Sequence, residues 1–150
     1  MKTVSSNLNN LKIKIYADGA DIESIISMSN KTFVKGFTTN PTLMRKAGVN
    51  DYEKFAKTVL NSIKNLPVSF EVFADEPDEI EKQAIKISNW GPNVNVKIPV
   101  TNTKGISLAQ SIKRLSNQGV QLNITAILTL EQVEEVVEVL NKDTFNIISV

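Results

Sequence analysis

The segment VNVKIPVT (Val94–Thr101) reads as a strand with one apolar side and one polar side. Side chains alternate faces along a strand, so Val94, Val96 and Ile98 share one surface while Asn95 and Lys97 share the other. Pro99 cannot donate to a ladder and ends the run, which puts Lys97 near the strand's C-terminal end. A lysine in that place admits two explanations. Its amine reaches water at an edge or strand end, as most strand lysines do. Otherwise it is buried, and a desolvated amine is a nucleophile toward carbonyls.

The same alternation recurs along the chain. Further β-type runs are Lys12–Asp18, Val34–Asn40, Val68–Ala74, Gln121–Ala126 and Phe145–Val150. Val68, Phe70 and Val72 oppose Ser69 and Glu71, and Leu122 and Ile124 oppose Gln121, Asn123 and Thr125. Gly36, Thr38 and Asn40 fall on one side, as do Tyr16 and Asp18. Helical stripes lie between the runs: Tyr52, Phe55, Ala56, Val59, Leu60 and Ile63; Ile80, Ala84 and Ile87; Leu108, Ile112 and Leu115; Val133, Val136, Val137 and Leu140. Asp51 and Asp78 are expected to cap their helices, and Thr129 with Gln132 has capping-box form.

Strand–helix–strand repeats imply a parallel sheet with right-handed crossovers. A doubly wound sheet has both faces covered, and its strands read as continuous apolar runs. These strands alternate, which favours an α/β closed barrel with a polar axis. An antiparallel sheet with one wet face is the competing arrangement, and the helix-length crossovers weigh against it. A full eight-unit barrel takes about 250 residues. This chain has 150 and ends inside its sixth strand, so only five βα units and a strand of a TIM (β/α)8 barrel are expected. The expected layout is an N-terminal extension over 1–11 and a C-terminally incomplete barrel domain over 12–150.

Composition narrows the chemistry. Hydrophobic residues make up 41%, charged residues 22%, and the net charge is +1, so no electrostatic pull toward nucleic acid or membrane is expected. No apolar run has the length of a signal peptide core or a membrane span, and the expected setting is cytoplasmic. The chain has no Cys and no His, which removes thiolate chemistry, the usual general base and most zinc sites. No metal or other cofactor is expected, and Lys, Asp, Glu and hydroxyl groups must carry any reaction.

Each candidate residue has an ordinary alternative. Asp18, before Gly19, could serve as a turn or cap residue. Thr38-Thr39-Asn40-Pro41-Thr42 could be a turn, with Asn40 held extended by Pro41 and a helix beginning at Thr42. Glu71 projects inward and needs a partner, which an inward lysine one strand away could be, as an ion pair of structural or catalytic use. Asn123 and Thr125 suit either explanation. Glu131, Glu134, Glu135 and Glu138 are expected to form a solvated helix face. Asp75, Glu76, Asp78, Glu79 and Glu81 are expected at a helix N-terminus, and Arg45 and Arg114 on helix surfaces.

Together, ADGAD, TTNPTL, FEVFAD, VKIPVT and LNITAI, in that order at strand ends, resemble the transaldolase family, and most closely its small bacterial-type branch. The resemblance runs from about Lys12 almost to the end, where NIISV matches the family's next segment. It implies a (βα)8 class I aldolase moving a dihydroxyacetone unit between sugar phosphates without a metal. Lys97 would form the Schiff base, Asp18 would take the substrate hydroxyl proton, and Glu71 and Thr125 would hold a proton-shuttling water. Asn40 and Asn123 would bind substrate hydroxyls, with Thr39 beside them and Ser149 at the rim. The family's phosphate-gripping arginine falls beyond Val150. The same branch contains fructose-6-phosphate aldolases, which release free dihydroxyacetone. A different class of answer is an inactive partial barrel that self-associates over its open edges; a homo-oligomer is expected in either case.

Overall fold

The computed structural model describes Leu8 and residues 12–150. The extension expected over 1–11 falls, Leu8 apart, outside the described residues. Strands and helices alternate in the order β1 (Ile15–Asp18), α1 (Ile22–Ser29), β2 (Val34–Thr38), α2 (Pro41–Lys46), α3 (Tyr52–Ser62), β3 (Val68–Glu71), α4 (Pro77–Ser88), β4 (Val94–Pro99), α5 (Ala109–Asn117), β5 (Leu122–Thr125), α6 (Leu130–Val139) and β6 (Ile147–Ile148). This is the expected α/β class, the strand–helix repeat of a (β/α)8 barrel carried into its sixth strand. Among the described residues no helix is long and apolar enough to cross a membrane. The chain divides into two compact units, Met1–Val68 and Ser69–Val150.

In the first unit β1 and β2 are parallel, with Tyr16 opposite Gly36 and Asp18 opposite Thr38. The run expected from Lys12 begins as a strand only at Ile15, because the pairing with β2 starts at Ile15 and Val34. Gly36 is required by its neighbour. A Cβ there would stand 2.3 Å from Cε1 of the Tyr16 ring, well inside van der Waals contact. Burial pushes the Tyr16 phenol's pKa upward. Asp21 caps α1 by accepting the Ser24 amide at 2.8 Å, and Asp51 caps α3 as expected, accepting the Lys54 amide at 3.0 Å. The α3 stripe is buried at Phe55, Ala56, Val59 and Leu60. α2 starts at Pro41, one residue before the expected Thr42, since proline's fixed φ and missing donor suit the first helical position.

In the second unit β3, β4, β5 and β6 are neighbours in that order. β4 and β5 are parallel, with Lys97 beside Asn123 and Pro99 beside Thr125; β5 and β6 are parallel, with Asn123 beside Ile147. Val96, Ile98, Leu122 and Ile124 are fully buried under helices, as the alternation requires. The polar side is buried too: Ser69 and Asn95 are wholly covered. α4 packs on β4 and α5, and α5 on α6. Ile80, Ala84, Ile87, Ile112 and Leu115 fill the layer between, and Phe70 meets Trp90 edge-on with ring centroids 5.8 Å apart. Thr129 and Gln132 form the expected capping box. In the α6 stripe Val136 is buried, whereas Val137 stays 54% exposed.

The acidic segment departs from expectation. α4 is capped at Glu76, with Pro77 at its first position, so Asp78 sits in the first turn and is not the cap. Asp75 instead holds the loop after β4, accepting the Thr103 amide at 2.8 Å and its hydroxyl at 2.6 Å, while Glu76 pairs with Lys104. Glu81 accepts the Ser111 hydroxyl at 2.7 Å and Nε of Arg114 at 3.1 Å. Arg114, expected on a helix surface, therefore ties α5 to α4. Glu135, expected on a solvated face, accepts the Ser107 hydroxyl at 2.8 Å. All four tethers join elements distant in sequence, which a local charge pattern cannot reveal.

Two outcomes follow from these contacts. Gly36→Ala should destabilise the fold by about 1–3 kcal/mol, the usual cost of overpacking. Adding Tyr16→Ala should recover part of that loss in urea melts, whereas equal losses in both would show no clash. The Arg114 hydrogen bonds hold the Glu81 carboxyl below its usual range against the opposing effect of burial, with Ser111 adding to them. A depressed folded pKa contributes stability above the unfolded value of about 4.3 and loses it as pH falls through the folded value. Glu81→Gln should therefore lower the melting temperature at pH 7, and the gap from the wild type should close in more acidic solution.

Candidate active site

Asp18, Glu71 and Thr125 end their strands, Thr39, Asn40 and Ser149 follow strand ends, and Lys97 and Asn123 lie two residues before theirs; strand C-terminal ends are where barrel enzymes build their sites. In the first unit Asp18 closes β1, and the chain leaves β2 through Thr39 and Asn40. The Asp18 carboxylate accepts the Thr38 hydroxyl at 2.9 Å and the Asn40 amide at 3.3 Å. Asn40 is extended, at φ −149° and ψ 159°, as a residue before proline must be. Its carbonyl oxygen caps α2 by accepting the Leu43 amide at 2.9 Å, which aims its NH2 group at Asp18. The cap thus orients a donor. Asp18 is neither turn nor cap: Asp21 caps α1, and the exposed Asp18 carboxylate is held between two side chains of the neighbouring strand's end. Thr39 is fully buried.

In the second unit the inward lysine and inward glutamate meet. Lys97 Nζ lies 3.4 Å from Glu71 Oε2, and the two side chains are 13% and 25% exposed. The amine is neither at a wet edge nor stranded in a dry core. It faces a carboxylate and keeps part of its surface exposed. Asn123 sits beside Lys97 in the register of β4 and β5, with 1% of its surface exposed. Its Nδ2 donates to the Ser69 hydroxyl at 3.1 Å, and its Oδ1 accepts the Ser149 hydroxyl at 2.7 Å. Ser149 is anchored by its own backbone, since its amide donates to the Ile124 carbonyl at 2.8 Å. Thr125 ends β5 half-buried, and its carbonyl accepts the Val100 amide at 2.9 Å.

The structure therefore joins Asp18 and Asn40 in one cluster. It joins Lys97 with Glu71 in a second, and Asn123 with Ser149 in a third. Sequence reasoning passed over Thr38 and Ser69. Both were marked by alternation, Thr38 on the face of Gly36 and Asn40 and Ser69 on that of Glu71, but neither is charged or set beside a proline.

An amine, a carboxylate 3.4 Å away and a set of hydroxyl and amide groups are the groups that forming and breaking a carbinolamine without a metal calls for. Comparison with known proteins identifies relatives of the chain. The chain is 38% identical over 120 residues to a probable transaldolase of Dehalococcoides mccartyi, covering 80% of this chain and 54% of the relative. It is 37% identical over 123 residues to a probable transaldolase of Streptococcus agalactiae, covering 80% and 53%. The chain thus spans about half the length of these relatives. Among solved structures it resembles the sialic acid aldolase of Ruminococcus gnavus, with a TM-score of 0.57 at 14% identity over 93% of this chain and 55% of that one, a likeness of fold. The transaldolase/fructose-6-phosphate aldolase family matches residues 15–150. On these matches the chain belongs to the transaldolase/fructose-6-phosphate aldolase family.

Proposed function

We propose that the chain carries the Schiff-base machinery of a transaldolase, which moves a dihydroxyacetone unit from a ketose phosphate such as fructose 6-phosphate or sedoheptulose 7-phosphate to an aldose phosphate. One observation carries this reading: a largely covered lysine near the end of β4 with a carboxylate 3.4 Å from its nitrogen. Family membership and the amine's surroundings point the same way.

In this reading Lys97 Nζ attacks the donor carbonyl and Glu71 takes the proton the amine must lose. Glu71 returns a proton to the carbinolamine hydroxyl, through a water shared with Thr125, so that water leaves and the iminium forms. The iminium then accepts the electron pair released when the carbon–carbon bond breaks, which is the barrier-lowering step. Asp18 takes the proton from the hydroxyl at the breaking bond, and Thr38 and Asn40 hold its carboxylate in place. Asn40 and Asn123 bind hydroxyls of the dihydroxyacetone unit, with Thr39 behind the former and Ser149 beside the latter. Reversal onto an aldose acceptor completes the transfer, and hydrolysis of the imine by the same water would release free dihydroxyacetone. Placement in sugar-phosphate metabolism of the cytoplasm, as a homo-oligomer, belongs to the same proposal.

The test is turnover of fructose 6-phosphate with and without erythrose 4-phosphate. Transaldolase activity predicts product only when the acceptor is present, whereas accumulation of free dihydroxyacetone without acceptor would make the chain a lyase. Lys97→Met should abolish either reaction while the circular dichroism stays native. Glu71→Gln should slow imine formation by about 10²–10⁴-fold, the usual contribution of a positioned acid–base group. Retained turnover in Lys97→Met would end the proposal.

A further inference from the structure

Ser69 and Asn123 form a polar contact where the interior is otherwise closed. Ser69 is fully buried, Asn123 is 1% exposed, and the bond between them is 3.1 Å long. The contact spans from β3 to β5, past β4 and its Lys97. A buried serine and a buried asparagine are costly unless their polar atoms are paired, and this bond pairs an atom of each. From the opposite side the Ser149 hydroxyl closes on Oδ1 at 2.7 Å. The Asn123 amide is thus gripped at both ends. An asparagine NH2 has two hydrogens and its oxygen two lone pairs. Ser69 and Ser149 use one of each, leaving one N–H and one lone pair in a fixed direction.

We propose that Ser69 is a positioning residue: its hydroxyl sets the orientation of the Asn123 amide beside Lys97, and so fixes the one donor and one acceptor that a ligand hydroxyl or carbonyl oxygen can meet there. The proposal rests on the reading of Asn123 as a ligand-binding group. Ser69 itself is wholly covered, so any effect on a ligand would pass through a neighbour such as Asn123. Without Ser69, only the Ser149 bond holds the amide against rotation about its last side-chain torsion, a broad and soft coordinate. Binding of the dihydroxyacetone unit then loses pre-organisation.

Two measurements test this. The first is independent of any activity: hydrogen exchange of the Asn123 side-chain NH2, followed by ¹⁵N-resolved NMR in the free chain. Exchange should be slow in the wild type and at least about tenfold faster in Ser69→Ala, the change expected for loss of one buried hydrogen bond. Equal exchange in both overturns the proposal. The second is borohydride trapping of the imine across a range of dihydroxyacetone concentrations. Ser69→Ala should raise the half-saturating concentration about tenfold and change the saturated trapping rate little, and Ser69→Thr, which keeps the hydroxyl, should restore much of the loss. In an Asn123→Ala background Ser69→Ala should add nothing. Unchanged trapping, or an effect that adds to that of Asn123→Ala, contradicts action through Asn123. If Ser69→Ala does not fold, Ser69→Cys, close in size and only a weak acceptor, takes its place. A wild type that forms no imine refutes the transaldolase reading, and the exchange measurement still decides whether Ser69 holds Asn123.

Discussion

The inward ammonium of Lys97 constrains everything around it. A charge taken most of the way out of water needs a partner, and Glu71 meets it at 3.4 Å. Leaving one member of a fully buried pair unpaired costs about 3–5 kcal/mol; the partial exposure of both side chains reduces that here. Both side chains keep part of their surface exposed. In the proposed reaction this pair is where the nitrogen would form and lose its bond to carbon.

The parallel topology explains why polar groups collect as they do. Parallel strands end on the same side, and alternation sends every second residue to the polar face. Asp18, Glu71 and Thr125 end their strands, Lys97 and Asn123 stand just short of an end, and Asn40 and Ser149 follow directly. Three of them are steadied by neighbouring groups. Thr38 holds Asp18, the α2 cap orients Asn40, and Ser69 and Ser149 clamp Asn123. Pre-organisation of this kind is what separates a site from a collection of suitable side chains.

Much of this was legible from the residues. The alternation in VNVKIPVT gave the strand and the face of Lys97, and the inward Glu71 one strand away was recognisable as its partner. The caps Asp51 and Thr129 followed from local patterns. Tertiary tethers were not legible. Nothing near Asp75 says that it grips Thr103, and nothing near Arg114 says that it reaches Glu81 on another helix. The cap expected at Asp78 failed because Pro77 moved the helix start to Glu76, a local signal available but outweighed by the acidic run. Ser69 escaped notice because a serine declares a role only through its partner.

The central claim is that Lys97 is the nucleophile. Incubating the chain with fructose 6-phosphate, reducing with borohydride and mapping the modified peptide by mass spectrometry tests it most directly. The account predicts one stable adduct, located on Lys97. An adduct on another lysine, or none from a folded sample, would contradict it.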